Sequence, residues 1–162
     1  MKIQEKIHWT PVFTIRKFAD RQAYEKGAPF DISVFQGNSL LNEGIAAMWD
    51  LIMGEAATAF GNAASYIGVG DSTTAAAATQ TGLQAVTNKA YAGMESGYPS
   101  RSGQTVTWRA VFGTDAGNFS WQEFTVVNSN SDDGVNLNRA VSNQGTKVAG
   151  QIWTIDVEIT LS

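Results

Sequence analysis

The 162-residue sequence has no cysteine and a single histidine, and only 16% of its residues are charged, against about 25% in an ordinary globular domain. The missing cysteines exclude disulfide scaffolds, thiolate nucleophiles and cysteine-based metal centres. Long apolar runs are missing too. No stretch approaches the roughly 20 residues that span a bilayer, and the start MKIQEKIHW carries charges where the apolar segment of a signal peptide would lie. A chain of this size buries about two-thirds of the surface it exposes when unfolded, enough for one core without staples. The expectation is a single soluble domain with no membrane partner.

What charge there is lies unevenly. Residues 1–31 hold Lys2, Lys6, Arg16, Lys17, Arg21 and Lys26 against Glu5, Asp20, Glu25 and Asp31, a balance of +2, while the remaining chain holds five basic and eleven acidic side chains, or −6. A basic arm ahead of an acidic body predicts docking on an acidic neighbouring surface, such as another copy of the chain. It does not predict nucleic-acid binding, because the body is acidic and anions dilute the cations of the arm.

Periodicity organises the rest. Ile7, Trp9, Pro11, Phe13 and Ile15 alternate with His8, Thr10, Val12, Thr14 and Arg16, a two-residue period that reads as an extended strand. Pro11 assigns it to an edge or arm, since proline cannot donate to a ladder. Trp9, Phe13 and Phe18 must be covered, because burying each is worth roughly 2 to 3 kcal/mol, and a partner subunit is the expected cover. Phe30, Ile32 and Val34 give a short strand. Asn38-Ser39 then offers a helix N-cap, and Leu41, Ile45, Met48 and Ile52 follow at helical spacing, widened by Trp49, Met53 and Phe60. The helix is expected over about 39–60, with its stripe packed in the core and Gly54 as its break.

Tyr66–Gly70 reads as a brief strand, residues 71–81 as a surface loop, and 89–103 as a succession of tight turns. Val106, Trp108, Ala110 and Phe112 share one strand face. Phe119 and Trp121 begin another strand, but Phe124 and Val126 continue it on the opposite parity, which calls for a bulge near Gln122-Glu123. Leu137, Arg139 and Val141 suggest a third strand. The clearest is the last, where Trp153, Ile155, Val157, Ile159 and Leu161 alternate, and it is expected not to tolerate truncation. The predicted fold is mostly β: an antiparallel β-sandwich or barrel with one N-terminal helix and an extended N-terminal arm. Residues 1–36 form the arm and short strand, and 37–162 the β-rich body.

No constellation carries chemistry. The only histidine, His8, sits in the arm beside Trp9 without triad partners. Asp50 and Glu55 do not share a helix face, and Asp156 and Glu158 read as the solvated side of the last strand. The run from Gly68 to Thr73 lacks the lysine of a phosphate loop. Residues 128–134 alternate oxygen-bearing side chains like a calcium loop, but Arg139 stands where the bidentate glutamate belongs, so a hairpin turn is expected, with Asp132 and Asp133 exposed. The chain is therefore read as a non-enzyme with no metal and no cofactor.

Several segments carry a resemblance. Asn38–Ile45, Tyr66–Ala75, Thr81–Gln84, Asn88–Pro99, Val106–Gly113 and Leu137–Arg139 before a long terminal strand resemble, in order, small virion structural proteins of tailed bacteriophages. The likeness spans about residues 30–162 and leaves the first 29 unmatched. It implies a protein assembled in the host bacterial cytoplasm and located in the virion. Its expected partners are the major capsid protein and further copies of itself, as a homotrimer, in a head decoration or cement role. The alternative is a tail or fibre component in which Trp121, Tyr98 and residues 128–136 face a host glycan. Within the arm, the expected partner-binding residues are Trp9, Phe13, Ile15 and Phe18 as anchors and Lys6, Arg16, Lys17 and Arg21 as orienting charges.

Overall fold

The computed structural model describes residues 6–37 and 39–162. The chain runs β1 (Trp9–Phe18), α1 (Arg21–Glu25), β2 (Asp31–Gln36), β3 (Ser39–Leu40), α2 (Asn42–Met53), β4 (Tyr66–Gly70), β5 (Lys89–Gly93), β6 (Ser100–Ser102), β7 (Thr105–Phe112), β8 (Glu123–Val127), β9 (Asn138–Val141) and β10 (Ile152–Leu161). Among the described residues the strands form two five-stranded antiparallel sheets, ordered β2-β1-β10-β7-β6 and β3-β9-β8-β4-β5. They stack as a sandwich, and the barrel alternative falls because neither sheet closes on itself.

Alternation decides what lies between the sheets. Phe13 and Ile15 of β1, Trp108, Ala110 and Phe112 of β7, and Trp153, Ile155, Val157 and Ile159 of β10 face inward from the first sheet. Ile67, Val69, Phe124, Val126 and Ala140 meet them from the second. Trp121 is the hub of the aromatic part, with ring centroids 4.8 Å from Phe112 and 4.9 Å from Trp153.

The first strand is not an arm. β1 lies inside its sheet, paired with β10 over all ten of its residues and with β2 from Val12 to Lys17, so a division at residue 36 separates no independent body. Pro11 is tolerated in this interior strand for a local reason. Its carbonyl accepts from Gly37 N at 3.1 Å, one rung past the last β1–β2 pair, so its missing N–H faces the point where β2 ends.

Other elements shift. Asn38, the expected N-cap, lies outside the described residues; α2 starts at Asn42 behind Leu41, which makes no side-chain cap. Gly54 ends the helix in the left-handed region (φ 77°), as its freedom from a Cβ allows, and residues 55–60 are not helical. Lys89–Gly93, expected as turns, pairs with β4 as a strand. The parity slip around Gln122 is real, but it falls between elements. Trp121 N bonds Gly145 O and Gln122 N bonds Gly70 O, and β8 begins only at Glu123.

Candidate interaction surface

Helix α2 presents its large apolar side chains to solvent. Its buried residues are Gly44 and Ala47, and a Cβ at Gly44 would collide with the Leu137 backbone. Because the small side of the helix is pressed to the body, the large side faces away. Trp49 is 59% exposed and Ile52 71%, with Ile45 and Met53 exposed beside them. The expected core stripe is therefore divided: Leu41 is buried and Met48 and Phe60 pack on the core, but Ile45, Trp49, Ile52 and Met53 lie on the surface, since the two sheets already fill their own interior.

That stripe forms one wall of a groove. Ile7, Trp9 and Leu161, where β1 begins and β10 ends, form the other wall, with Leu40 and Met48, around a cavity of about 400 Å³. A second cavity of about 190 Å³ shares Trp9, Met48 and Leu161 and reaches Phe60, Val106 and Trp108 at the mouth of the sandwich. Among the described residues, the buried Nε1 atoms of Trp9 and Trp108 have no acceptor. Scattered exposed leucines and isoleucines are ordinary, but a contiguous apolar patch on a folded surface marks an interaction site.

Of the eight residues expected to bind a partner, the structure brings only Trp9 to this groove. Phe13 and Ile15 are fully buried in the chain's own core, and Phe18 is covered by Tyr24 of α1, ring edge to face at 5.3 Å. Lys17 is buried as well: its Nζ donates to Gln144 O at 2.8 Å, pairs with Asp31 at 2.7 Å and lies 4.8 Å from the Trp153 ring centroid. Arg16 bonds Asp156 at 3.1 Å. Lys6 and Arg21 are exposed, but neither lines the groove. The helical stripe was the signal for the site, although its spacing reads equally as core.

Three polar assignments also change. Asp156 is not solvated, because Arg109 grips it through Nε and a terminal nitrogen, both at 2.6 Å, with Arg16 on its other side; Glu158 is exposed as expected. Asp132 is not free either. It accepts from Leu83 N, Lys89 Nζ and the Tyr91 hydroxyl, and burial together with this carboxylate pushes the Tyr91 phenol up, so it remains a protonated donor. Trp121, the expected glycan platform, is fully buried with its Nε1 donating to Gly117 O at 2.8 Å.

Residues 71–88 form a strap over the outward face of the second sheet, fastened beneath by carboxylates. Glu123 accepts from Gln84 N at 2.8 Å, Ala85 N at 2.7 Å and Arg139 Nε at 2.8 Å, while Arg139 also donates to Gln80 at 3.0 Å. Gly68 and Gly70 serve this arrangement rather than a phosphate. A Cβ on Gly68 would lie 2.8 Å from Thr125 and Tyr91, and one on Gly70 would strike Glu123. The 128–134 segment is a hairpin turn closed by Asn128 Oδ1, which accepts from Val135 N at 2.7 Å.

The fold and this surface define a β-sandwich with an apolar groove at its mouth. No family model matches the chain, and no curated protein or solved structure matches it. No helix among the described residues is long and apolar enough to cross a membrane.

Proposed function

We propose that the chain is a structural subunit of a tailed-phage virion, a head decoration or cement protein, that binds the capsid shell through the α2 groove. The observation that carries the reading is the exposure of Trp49 and Ile52 on a helix whose other side is locked to the body. Burying such side chains on a partner is worth about 1.5 to 3 kcal/mol each, and a rigid helix loses little entropy on docking. The sequence resemblance supplies the context, with the major capsid protein as partner. The fibre alternative loses Trp121, which cannot stack on a sugar while fully buried, and keeps Tyr98, whose ring lies under the Arg109 guanidinium.

Binding of purified protein to undecorated capsids tests the proposal. A Trp49→Ser/Ile52→Ser double variant should bind at least about tenfold more weakly while melting like the wild type, since exposed positions change stability little. Wild-type binding by that variant would remove the groove from the mechanism. Copy number per purified virion separates the roles, with hundreds expected for decoration and a handful for a tail component.

A further inference from the structure

The edges of the two sheets are not alike. The first sheet ends at β2 and β6 and the second at β3 and β5. β3 has two residues, β6 has three and carries Arg101, and β5 opens on Lys89. Short or charged edges are how folded proteins keep foreign strands off. β2 is less guarded, because its one charge, Asp31 at its start, is taken up by Lys17. It is six residues long, holds no proline or lysine, and keeps an unbroken register with β1 from Lys17 opposite Asp31 to Val12 opposite Gln36. Ile32 and Val34 along it are 55% and 62% exposed, and Phe30 just before it is 57% exposed.

The backbone of β2 is open at the same residues. Gly37 N donates to Pro11 O, and bonded rungs of an antiparallel ladder alternate with unbonded ones. Phe35, Ser33 and Asp31 therefore spend their N–H and C=O groups on β1. The groups of Ile32, Val34 and Gln36 point to the free edge, so at Ile32 and Val34 the unpaired backbone and the exposed apolar side chains belong to the same positions, whereas Phe30 N is spent on Lys17 O.

We propose that β2 pairs with β2 of a second copy, antiparallel about a two-fold axis at Ser33, which joins the β2-containing sheets of both copies into one. The strand is its own complement in this register. Ile32 faces Val34 of the second copy twice, in bonded rungs whose open backbone groups satisfy one another. Asp31, held by Lys17 at 2.7 Å, faces Phe35 instead of its own twin, so no like charges meet. Such a contact is isologous and closes at two copies. Its evenness distinguishes it from a homotrimer, and it stands independently of the α2 groove.

Sedimentation of the full chain over a wide concentration range is the test. Wild type should show a monomer–dimer equilibrium. Ile32→Lys and Val34→Glu should each weaken it by about tenfold, because the altered pair occurs twice by symmetry and cross-strand pairs carry up to about 1 kcal/mol each. An equimolar mixture of the two variants should recover association, since lysine at 32 then faces glutamate at 34 on one rung while the other rung stays native. Val34→Pro should also abolish pairing without loss of thermal stability, because the N–H it removes faces the open edge. A wild type that stays monomeric, a trimer indifferent to these changes, a dimer that survives Val34→Pro, or a mixture no tighter than its components would each overturn the proposal.

Discussion

Arg139 Nε donates to Glu123 Oε2 at 2.8 Å on the outward side of a sheet, yet neither side chain is exposed to solvent. The strap makes this possible, and the pair in turn holds the strap, because Glu123 also accepts from the Gln84 and Ala85 amides. Removing one member of a buried ion pair leaves an uncompensated charge and costs about 3 to 5 kcal/mol, a large share of the 5 to 15 kcal/mol of a typical domain. Arg139→Met should lower stability by that amount in urea and admit protease at residues 71–88 before global unfolding. Equal loss of protection along the whole chain would show that the pair does not fasten the strap.

A second expectation follows from the place of β1 between β2 and β10. Deleting residues 1–30 removes an interior strand and both Phe13 and Ile15, so the remainder should fail to fold instead of surviving as a released body. Phe13 stacks on Phe35 at 4.9 Å and touches Phe124 at 5.9 Å, and Phe13→Ala should cost about 3 to 5 kcal/mol. Circular dichroism and urea titration of both variants check this. A folded deletion variant would restore the arm.

Lys147 gives a pH dependence. Its Nζ donates to Gly113 O and Asn118 Oδ1, each at 2.7 Å, and burial pushes the ammonium down from 10.5 to about 8. Between those values the folded chain binds fewer protons than the unfolded one, so this residue makes stability rise with pH from about 8 upward. Tyr91 acts in the opposite sense, since its raised phenol favours folding only until pH climbs past the ordinary 10.0. The clean window is therefore pH 8 to 10. Across it the wild type should gain stability relative to Lys147→Met, measured by urea midpoints, and parallel curves would refute the assignment.

Periodicity and turn chemistry were enough to determine the β character, the inward faces of β7 and β10, and Gly54 as the break of the helix. These are local properties, because strand geometry sends alternate side chains to opposite faces whatever surrounds them. What covers each face is not local. The Trp9–Ile15 alternation and the Leu41–Ile52 stripe are both apolar faces in need of cover. The sequence pointed to a partner for the first and the core for the second, and the tertiary structure divides both. The facing sheet covers Phe13 and Ile15 while Trp9 stays at the groove, and Leu41 and Met48 reach the core while Ile45, Trp49 and Ile52 do not. Polar alternation misleads for the same reason. Asp156 reads as solvated, but Arg16 and Arg109 close on it, and the strap likewise lies over the outward-facing Glu123 and Arg139. Burial depends on which distant segments arrive at a face, and an alternating pattern records the face without recording the arrival.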